Sequence, residues 1–75
     1  MDITQTVAAA VRGLIAERGL SELSVAQESG IPRVTLRRRL AGQTPFTVQE
    51  LADVGRVLDI TVLDIIKRSQ IVAAA

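Results

Sequence analysis

Apolar residues recur along this chain at helical spacing, and the polar residues between them fall where helices begin and end. Ile3, Val7, Val11, Leu14 and Ile15 trace one face of a first helix that runs to Arg18. Asp2 with Gln5 three residues on makes a capping pair at its start, and Gly19 supplies a left-handed stop. In "GLSELSVAQESG" Ser21 caps a second helix of about two turns that ends at Gly30. Pro32 opens a third, where its missing N–H does no harm, and "RVTLRRRLA" carries it to Gly42. "QTP" is a loop. Thr47 and Glu50 form a capping box for a fourth helix to about Leu58, with Val48, Leu51, Ala52 and Leu58 along one side. Thr61 caps a fifth, "VLDIIKRS", with Asp64 in its first turn and Lys67 and Arg68 in its last. "QIVAAA" then reads as a frayed end. No segment reads as a strand, so the expectation is an all-α, compact five-helix domain over 1–70 with a short C-terminal tail, 71–75.

Composition narrows the chemistry. At 75 residues the chain is near the lower limit for folding without a staple, and its 48% apolar content makes a core feasible. It has no Cys and no His. That excludes a disulfide framework, a zinc site of the usual ligand types, a thiol nucleophile and a His general base, so neither a cofactor nor an enzymatic activity is expected. Ser21 with Glu22, and Asp59 with Asp64, read as caps and surface charge. Nothing is long and apolar enough to span a bilayer, and "MDITQTVAAA" carries an acid where a signal peptide is basic. A soluble, cytoplasmic, nucleoid-associated protein with no membrane contact and no small-molecule substrate is the expectation. One Phe and no Trp or Tyr argue against stacking platforms for single strands.

The net charge of +1 conceals a polarity. No acid occurs between Ser29 and Gln49, while that stretch holds Arg33, Arg37, Arg38 and Arg39. The remaining basic residues, Arg12, Arg18, Arg56, Lys67 and Arg68, are outnumbered by eight acids. A basic patch on a mildly acidic body is the footprint of a polyanion partner, although a basic helix also suits an acidic protein or a membrane surface.

The second and third helices carry a further pattern. Val25, Ala26, Gly30, Ile31, Leu36 and Leu40 have the spacing of two helices that cross steeply. Ala26 is small where the next helix packs, Gly30 takes the turn conformation, and Val25, Ile31 and Leu36 fill the wedge. "RGLSELSVAQESGIPRVTLRRRLAG" followed by "TVQELADVGRVLDITVLDII" resembles the lambda repressor-like helix-turn-helix domains of the Cro and xenobiotic-response-element (XRE) regulator family, over about residues 3 to 67. The family's signature elements appear in register as Val25, Ala26 and Gly30, as Leu36, Leu40 and Gly42, and as Leu58, Asp59, Ile60 and Thr61. Three departures stand out. Glu22 replaces a common Gln, which implies that it points away from DNA or that Ser21 and Ser24 make its contact. Arg39 occupies an apolar or aromatic place, and Pro32 replaces a Ser or Thr cap.

The resemblance implies that the third helix enters the major groove, with Arg33, Val34, Arg37 and Arg38 at base edges. An Arg fork matches guanine, and Val34 suits a thymine methyl. Ser21, Thr35, Arg39, Gln43, Thr44 and Thr47 are the phosphate candidates. Gly55, inside the fourth helix, implies close helix approach. The surplus apolar residues Val62, Leu63, Ile65, Ile66, Ile71 and Val72 either close the core or pair two subunits; a homodimer through the C-terminal helix is expected, reading half-sites about 34–36 Å apart. The implied function is sequence-specific duplex DNA binding in transcription regulation, as a repressor of the phage-immunity or mobile-element kind. The rival is a protein-interaction module of the same fold, antitoxin-like or coactivator-like, whose arginines dock on an acidic partner.

Overall fold

A computed structural model describes residues 2–74. Five helices follow in order: α1 (Ile3–Glu17), α2 (Glu22–Ser29), α3 (Arg33–Leu40), α4 (Val48–Leu58) and α5 (Val62–Ala74). No strand occurs among the described residues. α5 lies along α1, α2 packs on both α3 and α4, and α1 also reaches α3. The core they enclose centres on Val11, Val25, Leu36, Val54, Leu58 and Ile65, all essentially inaccessible to solvent.

Helix ends follow their local chemistry. The Ser21 hydroxyl accepts from the Ser24 N–H, and that of Thr47 accepts from Glu50. The Thr61 hydroxyl accepts from Asp64, whose carboxylate accepts in return from the Thr61 N–H. Those two bonds hold the Asp64 carboxyl below its ordinary value. α1, α3 and α4 all close with the paired reverse bonds of a Schellman turn, in which Leu20 donates to Ile15, Gln43 to Arg38 and Ile60 to Gly55. The left-handed residue is glycine in the first two, Gly19 and Gly42, but in the third it is Asp59, at φ 58°.

Several expectations need correction. Asp2 caps α1 through the Thr4 N–H, at 3.0 Å, and Gln5 does not complete a box. Its amide reaches instead to Gly42, 37 residues away. On α4 the buried side is Leu51, Val54, Gly55 and Leu58. Ala52 is turned about a residue's rotation away from that side, and Val48, at the first turn, is 75% exposed. Ile3 likewise stands out from the α1 face, at the edge of an open groove shared with Thr6, Ile66, Ser69, Gln70 and Ala73. The end expected to fray is helical: α5 continues through Ile71 and Val72 to Ala74, because no glycine or proline interrupts it and alanine is the best helix former. Ala75, the end of the expected tail, and Met1, the start of the expected domain, lie outside the described residues.

Gly55 answers to a close approach, as expected, though the approaching group is not another helix's side. A Cβ there would sit 2.7 Å from the Ile60 carbonyl oxygen, where the chain leaves α4 and turns back toward α5. Because the obstacle is backbone in a closed turn, it cannot swing away. Gly55→Ala is therefore expected to destabilise the domain by about 1–3 kcal/mol, despite alanine's better helix propensity. Thermal unfolding should show a fall in Tm of several degrees; an unchanged or raised Tm would refute this account of the turn.

Candidate nucleic-acid interface

α2 and α3 are joined by Gly30, Ile31 and Pro32. Gly30 adopts φ 81° and donates to Ala26, while the buried Ser29 hydroxyl accepts from the Ile31 N–H at 3.2 Å. Ser29 thus satisfies a donor that the sharp turn removes from any helix. Val25, Ala26, Ile31, Leu36 and Leu40 are buried together, as a helix-turn-helix wedge requires. From α4, Arg56 reaches across to the Glu28 and Ser29 carbonyls at 3.5 and 3.4 Å, a cationic support at the end of α2.

α3 is eight residues long, too short to persist alone. Its N-terminal cap, Pro32, offers no side-chain bond. Its C-terminal end is held much more firmly. The Arg12 guanidinium, on α1, donates to the Leu40 carbonyl. The Gln5 amide, two turns earlier on the same helix, donates to the Gly42 carbonyl at 2.8 Å. The glycine is needed for its φ of 76°; a Cβ there would also lie 2.5 Å from the Gln5 amide and displace that flexible side chain from its bond.

Arg39 is held inward. Its Nε and Nη2 donate to the two oxygens of Glu50 at 2.8 and 3.3 Å, and its Nη1 donates to the Thr44 hydroxyl at 2.7 Å. Glu50 also accepts from the Thr47 N–H. Burial opposes ionisation of Glu50, but the bonds from Arg39 and Thr47 prevail and hold its carboxyl below the ordinary value. Arg39, expected at phosphate, therefore serves as the tie between α3 and the start of α4.

The other three arginines face outward. Arg33, Val34, Arg37 and Arg38 line one open concavity together with Ala41 and Gln43. All four candidates for base contact thus share one surface, and Gln43, a phosphate candidate, joins them there. Val34 is 63% exposed and lines the concavity with the arginines. Among the described residues no acid lies within ion-pair distance of Arg33 or Arg38. The carboxylate of Glu22 lies 3.9 Å from the Nε of Arg37. The phosphate candidates are scattered in comparison. The hydroxyls of Ser21 and Thr47 act as helix caps, Thr35 is half-buried, and Thr44 serves Arg39. The supports from Gln5, Arg12, Ser29 and Arg56 are not apparent from the sequence, because each acts on a carbonyl or turn that only the tertiary arrangement supplies.

Among the described residues no group of acids is placed to hold a metal ion, and no helix is long and apolar enough to cross a membrane. No family model and no curated protein matches the chain. Two crystal structures of the clp gene regulator ClgR from Corynebacterium glutamicum do match its structure, with TM-scores of 0.87 and 0.86. Both are 21% identical to it and cover 93% of it, over 74% and 91% of their own chains. The likeness shows the fold, an all-α five-helix bundle with the helix-turn-helix at α2 and α3.

The Glu50 pair has a pH signature. A carboxyl held below its ordinary value when folded contributes stability above that value, 4.5, and loses it as pH falls through the folded value. Glu50→Gln should lower stability near neutral pH by about 1–2 kcal/mol. The variant and parent unfolding curves should then converge in acid well below pH 4.5. A gap that persists there would show that the pair's charge is not what holds α3 to α4.

Proposed function

We propose that this domain binds duplex DNA sequence-specifically through α3, as a transcription regulator. One observation carries the reading: Arg33, Val34, Arg37 and Arg38 share a single exposed surface on a helix whose opposite side, Leu36 and Leu40, is locked into the core. An eight-residue helix with a firm base and an unobstructed basic face has the dimensions of a major-groove reader. Its guanidinium forks match guanine's two acceptors, and Val34 complements a thymine methyl. Ser21 and Thr47, at the exposed starts of α2 and α4, remain candidates for phosphate through their helix N-termini, as do Thr35, Gln43 and Thr44. Arg39 is left out of the contact set because Glu50 holds it.

The two ClgR structures, described as those of a gene regulator, support this functional class. They give no support to a phage-immunity setting. Repression by occluding a promoter is the mode proposed, since it requires only tight occupancy of the site. Occupancy is strengthened when two copies bind together. Leu63 and Ile71 are 60% and 65% exposed on α5, while Ile65 closes the core beneath them. α5 is therefore proposed as the face through which a homodimer forms.

Selection of the purified protein against a random duplex library at near-physiological salt tests the reading. Enrichment of a palindrome is expected; no enrichment would overturn it and favour an acidic protein partner. On the selected site, Arg37→Ala should reduce affinity about 5- to 100-fold and leave binding to random duplex much less affected. Equal loss on both would reduce Arg37 to a phosphate contact. For the dimer, sedimentation should give twice the chain mass for the parent and a single chain mass for Leu63→Lys with Ile71→Lys; a monomeric parent would refute that part.

A further inference from the structure

We infer that Glu22 is a positioning and specificity-determining residue: it orients Arg37 for base contact and repels duplex that lacks the matching base. This rests on the DNA-binding reading of α3. Arg37 belongs to two adjoining surfaces. One is the α3 concavity with Arg33, Val34 and Arg38; the other is a depression lined by Arg12, Glu22, Leu40 and Ala41. Glu22 is the one acid within ion-pair distance of the outward arginines among the described residues.

The pair contributes little to stability. Both side chains are well exposed, 66% for Arg37 and 46% for Glu22, and exposed pairs of this kind add little to folding. α2 does not require the acid either, because Ser21 and Ser24 already form its capping box. Geometry gives the pair its significance. The carboxylate addresses Nε, at 3.9 Å, which leaves the terminal Nη1 and Nη2 edge available. That edge makes the two-bond contact with guanine O6 and N7. At this distance the pair is a charge contact without a hydrogen bond, so the carboxylate biases where the Arg37 side chain lies by attraction alone and leaves less orientational freedom to be lost on forming the specific contact.

The same charge works against indiscriminate binding. A carboxylate at the rim of a basic surface is repelled by phosphate, and it partly neutralises an arginine that would otherwise bind any backbone. Both effects raise the ratio of specific to random affinity, one from each side.

The test compares the parent, Glu22→Gln and Glu22→Asp on the selected site, on that site with the guanine read by Arg37 replaced, and on random duplex. Glu22→Gln should bind random duplex more tightly, with a salt slope steeper by up to about 0.9. Its penalty for the replaced guanine should shrink about threefold or more. Glu22→Asp should retain part of that penalty, and with Arg37→Ala in place Glu22→Gln should no longer affect it. A guanine penalty unchanged by Glu22→Gln overturns the inference while leaving DNA binding intact. A parent that selects no site overturns both readings.

Discussion

The molecule depends on how an eight-residue helix is held at one end. α3 cannot gather enough internal hydrogen bonds to be stable alone, and its first residue follows a proline whose carbonyl accepts from the Leu36 N–H but which offers no side-chain cap. What compensates is concentrated at its last turn, where Leu36 and Leu40 enter the core and Arg12 and Gln5 on α1 take up the Leu40 and Gly42 carbonyls. The Arg39–Glu50 pair ties the same turn to α4. α1 is thus more than a wall of the core. Its buried side packs against α5, while two polar residues two turns apart on it, Gln5 and Arg12, fix the far end of the helix that faces outward. The end nearest the proposed base contacts is left to the Gly30–Pro32 turn, where Ser29 and Arg56 restrain backbone rather than side chains.

The arginines of α3 are adjacent in sequence yet differ in what surrounds them. Helical rotation turns Arg39 toward α4, where Glu50 and Thr44 satisfy all three of its nitrogens, and turns Arg33, Arg37 and Arg38 outward. Elsewhere acids and bases neutralise one another locally. Arg68 joins α5 to Glu17 on α1, and its hydrogen bond holds the Glu17 carboxyl below the ordinary value; Arg56 meets Asp53 on its own helix. The basic character of α3 survives folding because, among the described residues, no acid lies within ion-pair distance of Arg33 or Arg38 and only Glu22 approaches Arg37.

Helix starts were legible in the sequence because capping is local: Ser21 with Ser24, Thr47 with Glu50 and Thr61 with Asp64 each lie three residues apart. The glycines at 19, 30 and 42 marked stops for the same reason, since a left-handed residue is required whatever lies nearby. So did the wedge of Val25, Ala26, Ile31, Leu36 and Leu40. What escaped was set by contacts distant in sequence. Gln5 has the spacing of a capping residue but finds the Gly42 carbonyl just past α3, and Arg39, in a place the resemblance gives to an apolar residue and expected at phosphate, finds Glu50. Asp59 gave no signal of a left-handed stop, and the α5 extension lacked one to read. The shared surface of Arg33, Val34, Arg37 and Arg38 was accessible to helical periodicity alone, whereas the approach of Glu22 to Arg37 required the crossing of two helices.

These features bear on how a chain with a net charge of +1 could manage a polyanion. A uniformly basic protein attracts DNA from every side and must search among many wrong orientations. On the proposed reading, the excess of acids outside α3 disfavours approach elsewhere, and the inward turn of Arg39 with the nearness of Glu22 lowers the charge that α3 offers to phosphate. Such a surface gains little from counterion release alone. Its affinity must come from contacts that depend on base identity, or from a second copy that doubles the number of contacts, and the exposed Leu63 and Ile71 make the second route physically available. On the proposed reading, limited charge on α3 and the firm hold on its C-terminal end act together, because both favour contacts that depend on base identity over general attraction to phosphate.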